Sequence, residues 1–507
     1  MGGGYSALGI GAISGGILLA TGLGLSSSSI HADSDSNDSA DKKTPLRELV
    51  RSYIVFTMCS FPTLIDLSPT MLDVLTSIPG VKQVTEALVR VTFFNQFVGG
   101  DTALQTLPLL KNLRSANKGT LFAYSVEVDE HEATATASLK KVSEPVHKRI
   151  VNEMVIALMS PPISRMAIVA GAAAGRRTWV AVKLSALLPD ANSLLHLFER
   201  LSRHGPNLPF RSLAVPHASD LDILYAPIGS IKSDLTEDDI KSLRELHADL
   251  IESANIIIDA EYRQVLPPPS ALMREFNKLG ESSSVQPLIY GTFQAYLKRT
   301  PSFLEQSFKD AKAGNYSLGV KLVRGAYHPH ETTAHQAFQA GKTSLSLSSD
   351  PLPPVWAEKW ETDKCYNECA KMLIGELKQD LGGKAQTMGI LFGTHNWTSC
   401  DLILTELVGR GLAKRVEGDV VSLGDEVTER LTIGQLFGMG DALTDYLVER
   451  TRSSTPMIIK YVPYGAMSEV MPYLSRRAIE NKSVLGDGQA SEERRRAGSQ
   501  IWKRIFG

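Results

Sequence analysis

Short apolar runs alternate with longer amphipathic stretches along most of this chain of 507 residues. The runs occupy residues 120–126, 178–184, 254–260, 287–295, 318–323, 388–393, 431–437 and 457–462. Each has the length of a strand, and the stretches between them can hold the crossover helix that a parallel return needs. Eight such returns predict an α/β fold of the (β/α)8 TIM-like barrel type; an open doubly wound sheet shares the alternation. Before the first run, residues 44–114 carry apolar positions at helical spacing, interrupted at Pro62, Pro69, Pro79 and Pro108. The pattern divides the chain into an apolar leader with a polar linker (1–43), a helical arm (44–119), a barrel (120–482) and a basic tail (483–507).

Polar residues close the apolar runs. Glu127 follows the first, Lys183 and Asp259 end the second and third, and Gln294 ends the fourth. Next come Lys321, Arg324 and Tyr327, then Thr394-His395-Asn396, then Leu436 beside Gln435, and finally Lys460-Tyr461. Barrels and open α/β sheets both collect their chemistry at the C-terminal ends of strands, so this distribution predicts one continuous site across a barrel mouth. Downstream, Tyr473-Leu474-Ser475-Arg476-Arg477-Ala478-Ile479-Glu480-Asn481 reads as part of a helix beginning near Glu469. Helical spacing puts Tyr473, Arg476 and Arg477 on one face. Two planar forks that never lose their charge suit a small carboxylate. Purely structural alternatives stand beside these residues. Arg476 can pair with Glu480 on a solvated face, worth ~0.3–0.5 kcal/mol; Lys321 can be neutralised by Asp259 in the interior; His395 can cap its own loop.

Composition narrows the picture. A hydrophobic content of 43% with 21% charged residues suits a large buried core, and a net charge of −2 weighs against nucleic acid as the main partner. Cys59, Cys365, Cys369 and Cys400 are too few and too irregular for a disulfide framework. Cys365 and Cys369 share a helix face, but no second ligand pair accompanies them, so reduced structural thiols are expected. Gly9-Ile10-Gly11 lacks the rest of a dinucleotide fingerprint, and Gly341-Lys342-Thr343 lacks the earlier glycine of a phosphate loop. The histidines show no zinc spacing, and no metal is expected.

Residues 1–30 contain no charged side chain and precede a polar run from His31 to Lys43. They are long enough to span a bilayer, for which ~20 apolar residues suffice. Their many glycines make a poor helix in water, and they lack the basic start of a secretory signal. Gly2 with Ser6 matches the myristoylation pattern. Membrane anchor, cleaved targeting segment and disordered leader all remain open.

The segments Lys321-Leu322-Val323-Arg324-Gly325-Ala326-Tyr327, Gly393-Thr394-His395-Asn396, Gln435-Leu436-Phe437-Gly438-Met439 and Tyr473 to Asn481 resemble, in order, the signature blocks of the proline dehydrogenase family. The likeness covers about residues 121–481 and is greatest to the monofunctional, eukaryotic mitochondrial members. It implies a barrel flavoenzyme that oxidises L-proline to Δ1-pyrroline-5-carboxylate. FAD is then the hydride acceptor, and electrons pass to a membrane quinone on the matrix side of the mitochondrial inner membrane.

The same resemblance puts the substrate carboxylate on Arg476 and Arg477, with Lys183 as a third cation. Tyr327, Leu436, Tyr461 and Tyr473 would surround the ring, and Asp259 would orient that shell. For FAD it implies Gln294, Lys321, Arg324, Thr394, His395 and Asn396. Glu127, at the end of the first strand, is expected to swing onto Arg476 or Arg477 and close the site. Bacterial members commonly carry Arg where this chain has Lys321 and Lys where it has Arg324, a difference that bears on the flavin's potential. Two rival functions follow. Hydroxyproline oxidation is disfavoured by the phenol of Tyr461, which leaves little room for an added hydroxyl. An inactive membrane-associated scaffold is disfavoured by the intact Lys183, Asp259, Tyr461, Arg476 and Arg477. The polar segments 188–254 and 328–363 are expected as excursions outside the barrel core.

Overall fold

Eight parallel strands close into a ring: β1 Gly119–Tyr124, β2 Thr178–Val182, β3 Ala254–Ile258, β4 Ile289–Gln294, β5 Leu318–Val323, β6 Met388–Gly393, β7 Leu431–Leu436 and β8 Ile458–Tyr464. Neighbours in the ring are neighbours in sequence, and β8 returns to β1 with Gly119 opposite Ile459 and Tyr124 opposite Tyr464. The closed ring is the expected barrel and removes the open-sheet alternative. The structure, a computed structural model, describes residues 44–125, 178–182, 254–258, 273, 277, 287–341, 351–383, 387–482 and 489–506. A separate three-stranded sheet, Ala413–Arg415, Val421–Leu423 and Thr451–Arg452, has strands too short to register as apolar runs.

Alternation turns every second strand residue inward. Leu121, Ala123, Trp179, Ala181, Tyr290, Leu391, Ile459 and Tyr461 form one buried cluster in the ring. The rings of Trp179 and Tyr290 meet edge to face with centroids 4.7 Å apart. Two glycines make room for that tyrosine: a Cβ at Gly389 would lie 2.1 Å from its hydroxyl, and one at Gly319 2.8 Å from its ring. The aromatic pair plugs the barrel. Further along the strands some inward positions are small, at Ala123, Ala181 and Gly393.

Ahead of the barrel run α1 Leu46–Cys59, α2 Pro62–Ser77, α3 Val81–Val89 and α4 Leu107–Ser115. Pro62 and Pro108 sit in first turns, where no donor is lost, and Pro79 separates α2 from α3. Pro69, expected to break the arm, does not. It deprives the Ile65 carbonyl of its usual donor, and the Ser68 hydroxyl takes that place at 2.7 Å.

The arm is fastened to the barrel. Val55, Phe56, Phe94 and Phe97 share a buried cluster with Met439, Val470, Tyr473 and Leu474. Gln96 Nε2 donates to the Gly438 carbonyl at 2.8 Å, while the Gly99 amide donates to Pro463 O at 2.8 Å. Gly438 has a φ of +74°, and a Cβ there would lie 1.8 Å from the carbonyl oxygen of Gln96. Gly438→Ala is therefore expected to lower stability by at least ~1–2 kcal/mol from the backbone conformation alone. A thermal unfolding midpoint equal to wild type would show that the arm does not depend on this contact.

Among the described residues the crossover helices are α5 Thr300–Gly314, α6 His328–Gln339, α7 Lys359–Leu381, α8 Trp397–Gly409 and α9 Asp441–Arg450. After β8 come α10 Met471–Lys482 and α11 Gln489–Phe506, the latter packed along α1. All four cysteines are buried with free thiols.

Candidate active site at the barrel mouth

The two arginines lie on α10, which starts two residues later than expected because the Glu469 and Val470 amides both bond the Ala466 carbonyl in a turn. Tyr473 and Leu474 are buried against the arm. Arg476 reaches across to the loop after β5, where its Nη1 donates to the Tyr327 hydroxyl at 2.5 Å. Its guanidinium lies 5.5 Å from the centroid of the Tyr327 ring and 6.0 Å from that of Tyr473. Arg477 lies 5.1 Å over Tyr473 and grips Glu480 with both nitrogens, at 2.5 and 2.6 Å. The expected Arg476–Glu480 pair is thus replaced by an i,i+3 pair from Arg477, because Tyr327 draws the other fork away.

Lys321 points inward on β5 and is 7% exposed. Its ammonium lies 5.6 Å from the ring centroid of Tyr461, which is inward on β8. Gln294 ends β4 opposite Val323. Three residues beyond Lys321, Arg324 is pinned on three sides. Its Nε donates to Asp363 Oδ1 at 2.6 Å, Nη1 to Thr394 Oγ1 at 2.7 Å and Nη2 to Ser399 Oγ at 2.8 Å, with the Tyr366 ring beneath at 4.3 Å. Burial alone would raise the Asp363 carboxyl, but hydrogen bonds from Lys359 and Arg324 hold it below the usual range.

Asp363 belongs to the first turns of α7, so the end of segment 328–363 is barrel wall and not an excursion. A readable signal was present in Glu358 and Glu361, which form the capping box that starts this helix.

His395 accepts the Leu436 amide on Nε2 at 3.1 Å, which fixes the proton on Nδ1. That Nδ1 is buried and meets no acceptor among the described residues. Burial, helped by the cations Lys460 and Arg477, pushes the imidazole pKa down to about 3. The loop cap is made by Asn396 instead, whose Oδ1 accepts the Ser399 amide at 2.9 Å at the start of α8.

An unfolded histidine titrates at ~6.5, so below that pH the unfolded chain binds a proton that folded His395 refuses. Stability should fall as pH drops from 6.5 toward about 3. In urea denaturation across this window His395→Gln should give the flatter curve; parallel curves would mean that His395 is not held neutral.

Sequence reasoning placed Lys460 at a strand end without a role. It points outward from β8 and is 1% exposed. Its ammonium donates to Asp441 Oδ1 at 2.8 Å, Met439 O at 2.8 Å and Leu436 O at 3.3 Å, clasping the loop that follows β7. Burial lowers the Lys460 pKa. Burial would raise Asp441, but the ammonium keeps that carboxyl below its usual range. Lys183, Asp259 and Glu127 lie outside the described residues, and with them the suggested Lys321–Asp259 pair.

Two guanidinium groups thus stand at the C-terminal mouth of a parallel barrel, the end at which barrel enzymes gather their chemistry. The sequence model of the family described as "Proline dehydrogenase" matches residues 107–489. The chain belongs to the proline dehydrogenase family, a class of oxidoreductases. Proline dehydrogenase 1, mitochondrial, of Dictyostelium discoideum is 26% identical over 467 residues, covering 88% of this chain and 70% of that one. Hydroxyproline dehydrogenase of Rattus norvegicus is 26% identical over 464 residues, covering 91% and 92%. In fold, the chain is similar to the crystal structure of proline utilization A from Bdellovibrio bacteriovorus inactivated by N-propargylglycine. The TM-score is 0.56 at 16% identity, over 93% of this chain and 44% of that longer one.

Proposed function

We propose that this protein oxidises L-proline to Δ1-pyrroline-5-carboxylate with FAD, passing electrons to a membrane quinone as the first step of proline catabolism. The observation that carries the reading is the Arg476 fork, held on Tyr327 across the mouth and next to Arg477, whose own fork lies over Tyr473. Relatives named mitochondrial support placement in that organelle, and the quinone implies the inner membrane, on its matrix side.

In this reading Arg476 and Arg477 bind the carboxylate, with Lys183 as third cation and Asp259 orienting the shell. Tyr327, Leu436, Tyr461 and Tyr473 exclude water from the ring. Glu127 closes the site. FAD is proposed to rest on Gln294, Lys321, Arg324, Thr394, His395 and Asn396. The fit is supported by the buried Nδ1–H of His395, a donor that meets no acceptor among the described residues. Lys321 adds positive charge at the end of β5, suited to an electron-rich ring, while Arg324, paired with Asp363, braces Thr394 beside it. When bound, FAD supplies the acceptor for a hydride from C5. The chain supplies placement, which can be worth ~7–11 kcal/mol of barrier.

Tyr461 favours proline over its hydroxylated analogue, since its ring is buried in the barrel cluster with the Lys321 ammonium 5.6 Å from its centroid, and its phenol takes up the space an added hydroxyl needs. The rat relative keeps hydroxyproline as the second reading. An anaerobic absorbance scan decides. Bleaching of flavin bands by L-proline and not by trans-4-hydroxy-L-proline, lost in Arg476→Met, is the expected result. Bleaching by the hydroxylated substrate alone overturns the substrate, and a colourless protein overturns the cofactor in favour of a scaffold.

A further inference from the structure

Most of the exposed large apolar side chains among the described residues belong to the arm or to α11. On α1, Leu46, Val50 and Ile54 recur at four-residue spacing on the exposed side. On α11, Trp502 and Phe506 are 53% and 68% exposed with their rings 4.4 Å apart, and Ile505 is exposed beside them. Two contacts orient the helices. Arg494 Nη1 donates to Ser60 Oγ at 3.3 Å, and a Cβ at Gly498 would lie 3.1 Å from the Tyr53 ring. The pair is antiparallel, so the last turn of α11 runs toward the first turn of α1. Leu46, Val50, Trp502, Ile505 and Phe506 therefore share one end of the helix pair.

The charge around that end is mainly positive, with Glu48 in the first turn of α1 as the acid among its described residues. Arg47, Lys503 and Arg504 are exposed there, and residues 497–506 contain no acid. The chain as a whole is nearly neutral, with a net charge of −2. Aromatic rings, aliphatic side chains and cations together are the composition of a helix end that enters the headgroup region of an anionic bilayer. A second copy is a poorer occupant, because a two-fold contact sets Arg47, Lys503 and Arg504 near their own counterparts. The chain also reaches α1 directly from the polar linker 31–43, which tethers the charge-free residues 1–30 to this same end. Stable attachment by weak signals takes two of them.

We propose that the joined ends of α1 and α11 form a docking surface for an anionic lipid bilayer. It rests on the reading in which electrons leave to a membrane quinone, but its test needs neither flavin nor proline. Full-length protein is mixed with vesicles of phosphatidylcholine and phosphatidylglycerol carrying brominated acyl chains, and tryptophan emission is followed. Quenching in the wild type is expected, lost in Trp502→Phe, which keeps an apolar ring but removes the reporter. Lys503→Glu with Arg504→Glu should weaken vesicle binding on the order of tenfold or more, with thermal unfolding unchanged.

Absent quenching in the wild type, or quenching that survives in Trp502→Phe, overturns the proposal. So does concentration-dependent self-association abolished by Trp502→Ser, which would assign the face to a second copy. Proline-dependent bleaching is scored separately, so a failed enzyme reading and a failed docking surface give different patterns.

Discussion

Lys460→Met should lower the free energy of unfolding by ~3–5 kcal/mol, the usual cost of removing one partner from a buried ion pair. The ammonium is almost inaccessible and serves Asp441 and two carbonyls at once. Methionine matches its length but leaves the carbonyls of Leu436 and Met439 without that donor. Asp441 keeps some contact with solvent, so the loss belongs near the lower end of the range. Asp441→Asn, which leaves the ammonium its two carbonyls, should cost less than half as much. Chemical denaturation of the three proteins separates these outcomes; a loss in Lys460→Met no greater than in Asp441→Asn would show that the carbonyls are not held by the ammonium. Because the same loop presents the Leu436 amide to His395, flavin content should fall along with stability.

Arg476→Met should reduce kcat/KM for L-proline by ~10²–10³-fold, the scale of ~3–4 kcal/mol for a charge-assisted anchor withdrawn from a shielded site. Arg477→Met should cost less, since its fork is already engaged by Glu480 and much of its charge is answered inside the protein. Steady-state kinetics on both variants with an artificial acceptor test the order. Equal losses would mean that the Glu480 pair opens when substrate binds, and a larger loss in Arg477→Met would reverse the assignment of the principal anchor.

The barrel was legible because strands of a parallel sheet are buried on both faces and read as bounded apolar runs. β5 and β6 fall on the expected residues, and the other runs contain or overlap their strands. The polar lining of the mouth was legible in the last residues of the runs and those that follow them, as at Lys321, Arg324, Thr394 and His395. Partners distant in sequence were not. Whether Arg476 or Arg477 takes Glu480 is decided by Tyr327, on another element. Arg324 is fixed by Asp363 and Ser399, neither marked by a pattern that names its partner. Lys460 shows the limit of reading faces without register, since it neighbours the inward Tyr461 and so points the other way. Pro69 shows the limit of reading helix breaks from proline alone, since the serine before it repairs the ladder.

Ring closure joins β1 to β8, and α11 lies on α1, so the earliest described elements of the chain are completed by the latest. These are contacts of high sequence separation, which make folding slow and postpone its last step. During synthesis α1 emerges with its partner unmade, and β1 waits with an open edge through the whole length of the barrel. Such a chain cannot settle domain by domain from its N-terminus. The first of the described helices to be made is among the last to be covered.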